Sequence, residues 1–410
     1  LLLVCLFCVC VLAALDNLIV STAIRSIVID IGKQELAPWI GSAYMITSAG
    51  LTPLYGRFAD IFGRKPMLLF AIVLFEIGSL VCAVAQSMET LIVAGIGGGG
   101  LGSLVLIIMS EIVTIRERAK YQGMLGAAIG LSSIMGPLVG GLLCDNATWR
   151  WCFWINIPFG VLVIGILSMV RFPVVSSDKS LLERLRQLDW LGVITLFLAI
   201  MFFVTPLQLG GSLWEWNSAP VLTMLPLSVV LIALFVWIEK RARNPIIPSS
   251  LFVHSNTALL LVYSLALGAI FFSGAYYISL FFQIVFGKSA SDAGVTALPL
   301  SFGMVSATVG SGIVVSKRGR YISLFYAGPV FMIIGCALTS FLDANSPLIQ
   351  QIGVMFIFGF GGGLVYQTRV VAMQLSVKTE LIAVATSVST TCFLLGGAVG
   401  ISITGTIINN

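Results

Sequence analysis

Charge is what this chain has least of. Lys, Arg, Asp and Glu make up 10% of its 410 residues, against about 25% in a soluble globular domain. The composition is 58% hydrophobic and the mean hydropathy is +1.06. A water-soluble protein of this size cannot cover so much apolar surface, so the chain reads as integral to a membrane. Its apolar runs also lack the polar–apolar alternation of barrel strands, which favours helices. Histidine occurs once, at His254 in a polar connection, and this argues against a multi-histidine metal or haem site. The eight cysteines sit mostly inside apolar runs without zinc-ligand spacing and read as buried thiols. Cys144 and Cys152 flank a short loop and are the one pair placed to bridge. Intramembrane His clusters, Ser–His pairs and paired metal-binding acids are absent, against an embedded enzyme. A basic flank before the first apolar run, "LLLVCLFCVCVLAALD", is missing as well, so a fragment is one expectation.

Long apolar segments are what the chain has instead. They span 1–24, 38–56, 67–86, 91–113, 122–143, 152–171, 190–208, 221–238, 257–282, 293–315, 322–342, 348–373 and 381–408. Each suits a helix crossing a ~30 Å hydrocarbon core, and thirteen of them exclude a seven-span receptor. One alternate set of connections holds most of the 22 basic residues, among them Arg64, Lys65, Arg118, Lys120, Lys317 and Arg318. The other set holds Lys33, Arg150 and Lys288. The positive-inside rule makes the first set cytoplasmic, with the N-terminus inside and the C-terminus outside. Within 176–189, Leu181, Leu182, Leu185 and Leu188 share a helical face, which fits an interfacial helix or a solvated linker.

Two stretches echo each other. "GRFADIFGRKPMLLF" at 56–70 resembles "GIVVSKRGRYISLFY" at 312–326, and the glycine-rich fifth span has a similar echo in the last one. Repeated halves characterise secondary transporters. The simplest account is two six-span halves with two spans inserted between them: residues 1–172, then 173–250, then 251–410, the second half one span short.

The stretch "AGIGGGGLG" at 94–102 contains G-x-G-x-x-G. A dinucleotide loop follows a strand and opens a helix in a βαβ unit. Here the glycines begin the fourth span, so they are expected to make a flat helix face for close packing.

Charges within spans carry the most information, because each costs ~2.5–3.5 kcal/mol at the membrane centre on insertion scales. Asp16 lies well inside the first span and Glu76 is central in the third. Low dielectric disfavours an ionised carboxylate, which suits proton loading and release; Glu76 reads equally as a structural carboxyl. Arg25 is near enough to the outer interface to snorkel. Arg369 sits deeper and needs an acidic or carbonyl partner. Trp39, Tyr44, Tyr276, Tyr277, Phe282 and Gln283 are candidate substrate-lining residues, since aromatic walls with few polar groups suit an amphipathic molecule; such aromatics also serve as interface anchors.

"GRFADIFGRK" resembles the loop between the second and third spans of the major facilitator superfamily, with Gly56, Asp60, Gly63, Arg64 and Lys65 matching. "GAAIGLSSIMGPLVGG" at 126–141 resembles that family's antiporter motif, through Gly126, Gly130, Gly136, Pro137 and Gly140. "LDNLIVSTAIRSI", "WRWCFWINIPFG", "LDWLG", "LQLGGSLWEWNSA" and "YYISLFFQIVFGKSASDAGVTALP" resemble the fourteen-span drug:proton antiporters, above all fungal toxin and multidrug exporters. The resemblance implies an all-α transporter fold, with Asp60 engaging Arg118 and a helix terminus of the second half to clamp the halves. It matches Asp16 to the family's first-span acid. It implies that the fifth span rocks against its neighbour, the alternative being close packing without motion. Two departures stand out: the place of a family arginine is either taken by Leu91 or lost in a short deletion before Gly95, and Arg25 and Arg369 stand where the family commonly has proline.

The expectation is therefore a proton-coupled antiporter, monomeric in the bilayer, that exports small amphipathic organic compounds. The plasma membrane is its first expected location and the vacuolar membrane its second. A siderophore or amino-acid carrier of the same fold, or a non-functional truncated transporter, is the alternative. The motifs make no case for a cofactor, a metal or nucleic acid.

Overall fold

The computed structural model describes residues 2–33, 36–95, 100–170, 172, 183, 189–211, 213–242, 244–252, 255–287, 290–319, 321–343 and 345–409. The expected interfacial segment 176–189 lies outside them except for Glu183 and Asp189, as do His254 and Lys288. The side chains of Arg25, Tyr44, Pro137, Tyr276 and Gln283 also lie outside the described residues.

Eight helices make the first half: α1 (Leu2–Ile31), α2 (Ala37–Phe62), α3 (Arg64–Ala83), α4 (Met88–Ala94), α5 (Leu101–Ile112), α6 (Ile115–Asn146), α7 (Trp151–Trp154) and α8 (Asn156–Met169). Helices α9 (Trp190–Leu209) and α10 (Ala219–Glu239) pack on each other as the inserted pair. The second half comprises α11 (Ser255–Val285), α12 (Ala290–Arg318), α13 (Ile322–Thr339), α14 (Leu348–Tyr366), α15 (Thr368–Leu375) and α16 (Ile382–Asn409). Among the described residues, ten helical stretches are long and apolar enough to cross a membrane. Helix α3 illustrates why: Leu68, Ile72 and Phe75 face the interior, while Phe70 and Ile77 remain more than half exposed on the opposite face. An apolar outer face is costly in water and matches lipid.

Local chemistry sets the breaks. Gly63 separates α2 from α3 at φ +93°, a conformation that residues with a Cβ avoid. Asp189 accepts the Gly192 N–H at 3.0 Å and starts α9, satisfying an orphan donor of the first turn. The fourth span departs from expectation. Among the described residues, α4 ends at Ala94 and α5 starts after Gly100, whose φ of +101° is not helical; residues 96–99 lie outside the described residues. Glycine costs about 1 kcal/mol in a helix relative to alanine, so Gly100 yields readily to other constraints. A Cβ on Gly100 would meet the Tyr55 ring at 2.0 Å, so the glycine admits α2 rather than paving a continuous face.

The halves meet through two reciprocal helix pairs, α2 against α16 and α6 against α12. This exchange is what a two-fold repeat produces. Its signature is at the echoed glycines. A Cβ on Gly56 would meet the Ser387 Oγ at 2.3 Å and the Ala383 carbonyl at 3.0 Å. A Cβ on Gly312 would meet the Ala119 carbonyl at 2.5 Å and the Gly123 Cα at 3.2 Å.

Candidate functional site

Two apolar cores fill the first half. One contains Leu12, Phe75 and Val163; the other contains Ile19, Cys82 and Phe153. Between them, on α1, α3 and α8, lies a polar layer. The Asn156 amide donates to Asp16 Oδ1 at 2.6 Å and lies 3.2 Å from the Ser79 hydroxyl. Asp16, Glu76, Ser79 and Asn156 are all buried. Glu76 and Ser79 are three residues apart on one face of α3. Asn156 and Gly160, four apart on α8, face them, and a Cβ on Gly160 would meet Glu76 Oε1 at 1.8 Å. Both Glu76 carboxyl oxygens are buried without a hydrogen-bond partner, and Glu76 lies within electrostatic reach of Asp16. The arrangement holds two carboxyl groups in one dry layer with a single donor amide, which suits a site that binds and releases a proton. Asn156 and Ser79 were not singled out from the sequence. The only signal was an amide inside the apolar stretch "WINIPFG".

The motif at 56–65 is tied mainly within the first half. Arg64 Nη2 pairs with Asp60 Oδ1 at 2.7 Å, and Arg64 Nε donates to the two Glu111 carboxyl oxygens at 2.9 and 2.8 Å. Asp60 thus pairs with Arg64 rather than with Arg118. Arg118 is buried, with Glu111 in electrostatic reach. Glu111 lies between the two arginines in this network. Lys65 Nζ donates to the Ser168 and Val170 carbonyls at 2.8 and 2.7 Å, a cation at the C-terminus of α8 where the helix dipole favours one.

The seam itself is made by small residues. Beyond Gly123, a Cβ on Gly126 would meet Thr308 Cγ2 at 2.2 Å, and one on Gly130 would meet Val305 Cγ2 at 2.0 Å. Gly136 and Gly140 continue α6 toward its outer end, both buried. Across the seam, buried Gln122 of α6 donates to Gln374 of α15 at 3.0 Å, and Gln374 donates to Thr386 of α16 at 3.1 Å. These contacts cluster toward the ends assigned to the cytoplasm.

At the opposite ends of the helices, Arg150 Nη1 binds Asp30 Oδ2 at 2.7 Å, and the Trp149 indole donates to the same oxygen at 3.0 Å. These hydrogen bonds, Arg150 first, hold the Asp30 carboxyl below its ordinary range. Lys33 forms an ion pair with Glu89. Two of the cations placed outside are therefore balanced by acids.

Of the candidate lining residues, Trp39, Tyr277 and Phe282 are described, and each has its own neighbours. Trp39 packs edge-on against Trp214 at 6.0 Å between centroids. The Tyr277 hydroxyl donates to the Ile401 carbonyl at 2.9 Å. Phe282 is fully buried in the second half's core against Phe281 and Phe286. Aromatic residues of a membrane helix serve as core as readily as they line a cavity. The Cys144 and Cys152 sulfurs are 4.0 Å apart and unbridged.

Arg369 finds the carbonyl alternative. Its Nη1 lies 3.2 Å from the Ser389 carbonyl and 3.3 Å from the Ser389 hydroxyl. Its guanidinium is 4.1 Å from the Phe393 ring centroid and 5.7 Å from that of Tyr366.

Comparison with known proteins agrees with this architecture. The Major Facilitator Superfamily profile matches residues 6–401. The efflux pump dotC of Dothistroma septosporum is 39% identical over 384 residues, covering 92% of this chain and 66% of that protein. Multidrug resistance protein 3 of Bacillus subtilis is 32% identical over 403 residues, covering 97% of this chain and 77% of its own length. The chain thus spans just under two-thirds of the dotC pump it matches. Among solved structures, the proton:xylose symporter XylE superposes with a TM-score of 0.68 at 15% identity, over 99% of this chain and 88% of that one. The human organic anion transporter MFSD10 gives 0.65 at 15% identity, over 99% and 93%. Both show the shared fold.

Proposed function

The chain belongs to the Major Facilitator Superfamily, and from that premise we propose that it is a proton-coupled antiporter exporting small amphipathic organic compounds. It is a multi-pass membrane transporter with efflux-pump relatives; the coupling ion and the cargo are the proposed part. The observation that carries the coupling is the buried layer of Asp16, Glu76 and Asn156. Two carboxyl groups in low dielectric cannot both ionise cheaply, so one proton is held or lost as the surroundings change.

Export of drug-like or toxin-like compounds draws its support from the relatives' names, efflux pump and multidrug resistance protein. Alternating access is supported by the glycine seam, where α6 and α12 approach closely enough to slide or rock as rigid bodies. In this reading the Gln122–Gln374 bond and the Gly56–Ser387 approach close the cytoplasmic side, Arg64 and Lys65 keep the first half rigid during the motion, and Arg118 serves the same cytoplasmic network. The functional units are residues 1–172, 173–250 and 251–410.

The test is efflux of a fluorescent amphipathic dye from cells or vesicles. Export driven by a proton gradient is expected, with loss on collapsing the gradient and in Asp16→Asn. Efflux that persists under either condition contradicts the coupling.

A further inference from the structure

The second half buries a cation within an apolar span, as the first half buries acids. Arg369 is 3% exposed and lies in a stretch, Leu348–Leu375, apolar enough to span the membrane. A buried guanidinium requires a counter-charge or a full set of acceptors. Among the described residues none of the ion pairs includes Arg369, and its neighbours in electrostatic reach are Tyr366, Cys392 and Tyr263, not carboxylates. Ser389 supplies two neutral oxygens to Nη1, and Nε is buried with no partner. The Nε edge of a guanidinium is where a carboxylate docks with two parallel hydrogen bonds.

The surroundings specify the rest of the ligand. Phe271, Tyr366 and Phe393 contact one another at centroid distances of 5.5 to 6.2 Å, and Phe393 also stacks beneath the guanidinium. The cluster adjoins the seam: Tyr366 lies within electrostatic reach of Cys10 on α1, and the next residue, Gln367, would be met at 3.4 Å by a Cβ on Gly126. Ser389 is fixed in turn by Ser264 at 3.1 Å, so the arginine is held through Nη1 while its buried Nε is left without an acceptor.

We propose that Arg369, with the rings of Phe271, Tyr366 and Phe393, is the recognition site for an aromatic organic anion. The carboxylate sits on the Nε edge and the ring lies among the aromatic side chains. This names the cargo class of the exporter proposed above and rests on that reading. Binding occurs when the halves part, because the closed seam leaves the guanidinium nearly inaccessible.

The experiment uses the full chain in lipid nanodiscs at pH 8, with 2-naphthoate and its neutral isostere 2-naphthamide as calorimetric probes. Naphthoate is expected to bind about 10-fold to 100-fold more tightly, the scale of a charge-assisted hydrogen bond. Arg369→Gln is expected to abolish the difference and Arg369→Lys to retain part of it. Equal binding of the two probes to the unaltered protein overturns the proposal, whether or not the variants fold. Discrimination without gradient-driven transport overturns the exporter reading and leaves the anion site standing. Gradient-driven export of a neutral dye, with no discrimination between the probes, does the reverse.

Discussion

The two halves share a scaffold and differ in charge. Gly56 and Gly312 occupy equivalent seam positions, and each admits the opposite half's helix at backbone distance. Yet the first half buries Asp16 and Glu76 in its interior polar layer and Arg118 near the start of α6, whereas the second half buries Arg369. A repeat conserves what packing requires, since any Cβ at the seam forces the helices apart. The interior polar layer is free of that requirement and takes different chemistry in each half. Acid is supported by an amide in the first half (Asn156 on Asp16) and cation by serine and aromatic faces in the second.

Breaking the acid side has the largest expected effect. Asp16→Asn removes the ionisable group while keeping the acceptor for Asn156, so the fold persists and gradient-driven export falls to background in a vesicle assay. Export at the unaltered rate would contradict the coupling proposed for Asp16. The shared scaffold comes next. Gly130→Leu places a side chain where even its Cβ meets Val305 Cγ2 at 2.0 Å, and overpacking costs about 1–3 kcal/mol. Transport and thermal stability are expected to fall together, while Gly141→Ala, with open space around its Cβ, stays within about 0.5 kcal/mol. Equal tolerance at both glycines would contradict the packed seam.

Asn156→Ala leaves buried Asp16 without its donor, an expected loss of roughly 1–3 kcal/mol, measured as a drop in unfolding temperature. Ser389→Ala is expected to cost less, because Arg369 retains the Ser389 carbonyl. A larger loss at Ser389 would reverse the comparison. The smallest effect lies at the outer rim. Asp30 is held below its ordinary range by Arg150 and Trp149, so its contribution is present above the unfolded value of about 3.9 and is lost as pH falls through the folded value. Asp30→Asn is expected to flatten the pH dependence of unfolding below about pH 4 and to leave it unchanged at pH 7.

Membrane class, repeat and motif loop were readable from sequence because each is written in residue types: apolar runs, alternating basic loops, "GRFADIFGRK" and its echo. Asp16 and Glu76 stood out for the same reason, as acids within apolar runs. Asn156, Ser79 and Ser389 did not, because neutral polar residues are common in spans and their value comes from facing helices that only the fold brings together. The glycine run after Ala94 signalled close approach, but periodicity alone does not say whether a given glycine packs in a helix or interrupts one; at Gly100 the Tyr55 ring beside it decides. Phe282 packs in the second half's core because aromatic character marks burial without saying which side of the helix meets a cavity. The pairing of Asp60 with Arg64 was hidden by a competing partner, since the sequence offers Arg64 and Arg118 alike and only packing brings one within 2.7 Å.

The central claim is a division of labour, protons in the first half and organic anion in the second. Its most direct measurement follows proton and naphthoate movement together in proteoliposomes containing the unaltered chain, Asp16→Asn or Arg369→Gln. Asp16→Asn is expected to bind naphthoate with unchanged affinity and to carry no protons, while Arg369→Gln loses naphthoate affinity and still couples protons to a neutral dye. Loss of both activities in each correctly folded variant would contradict the division.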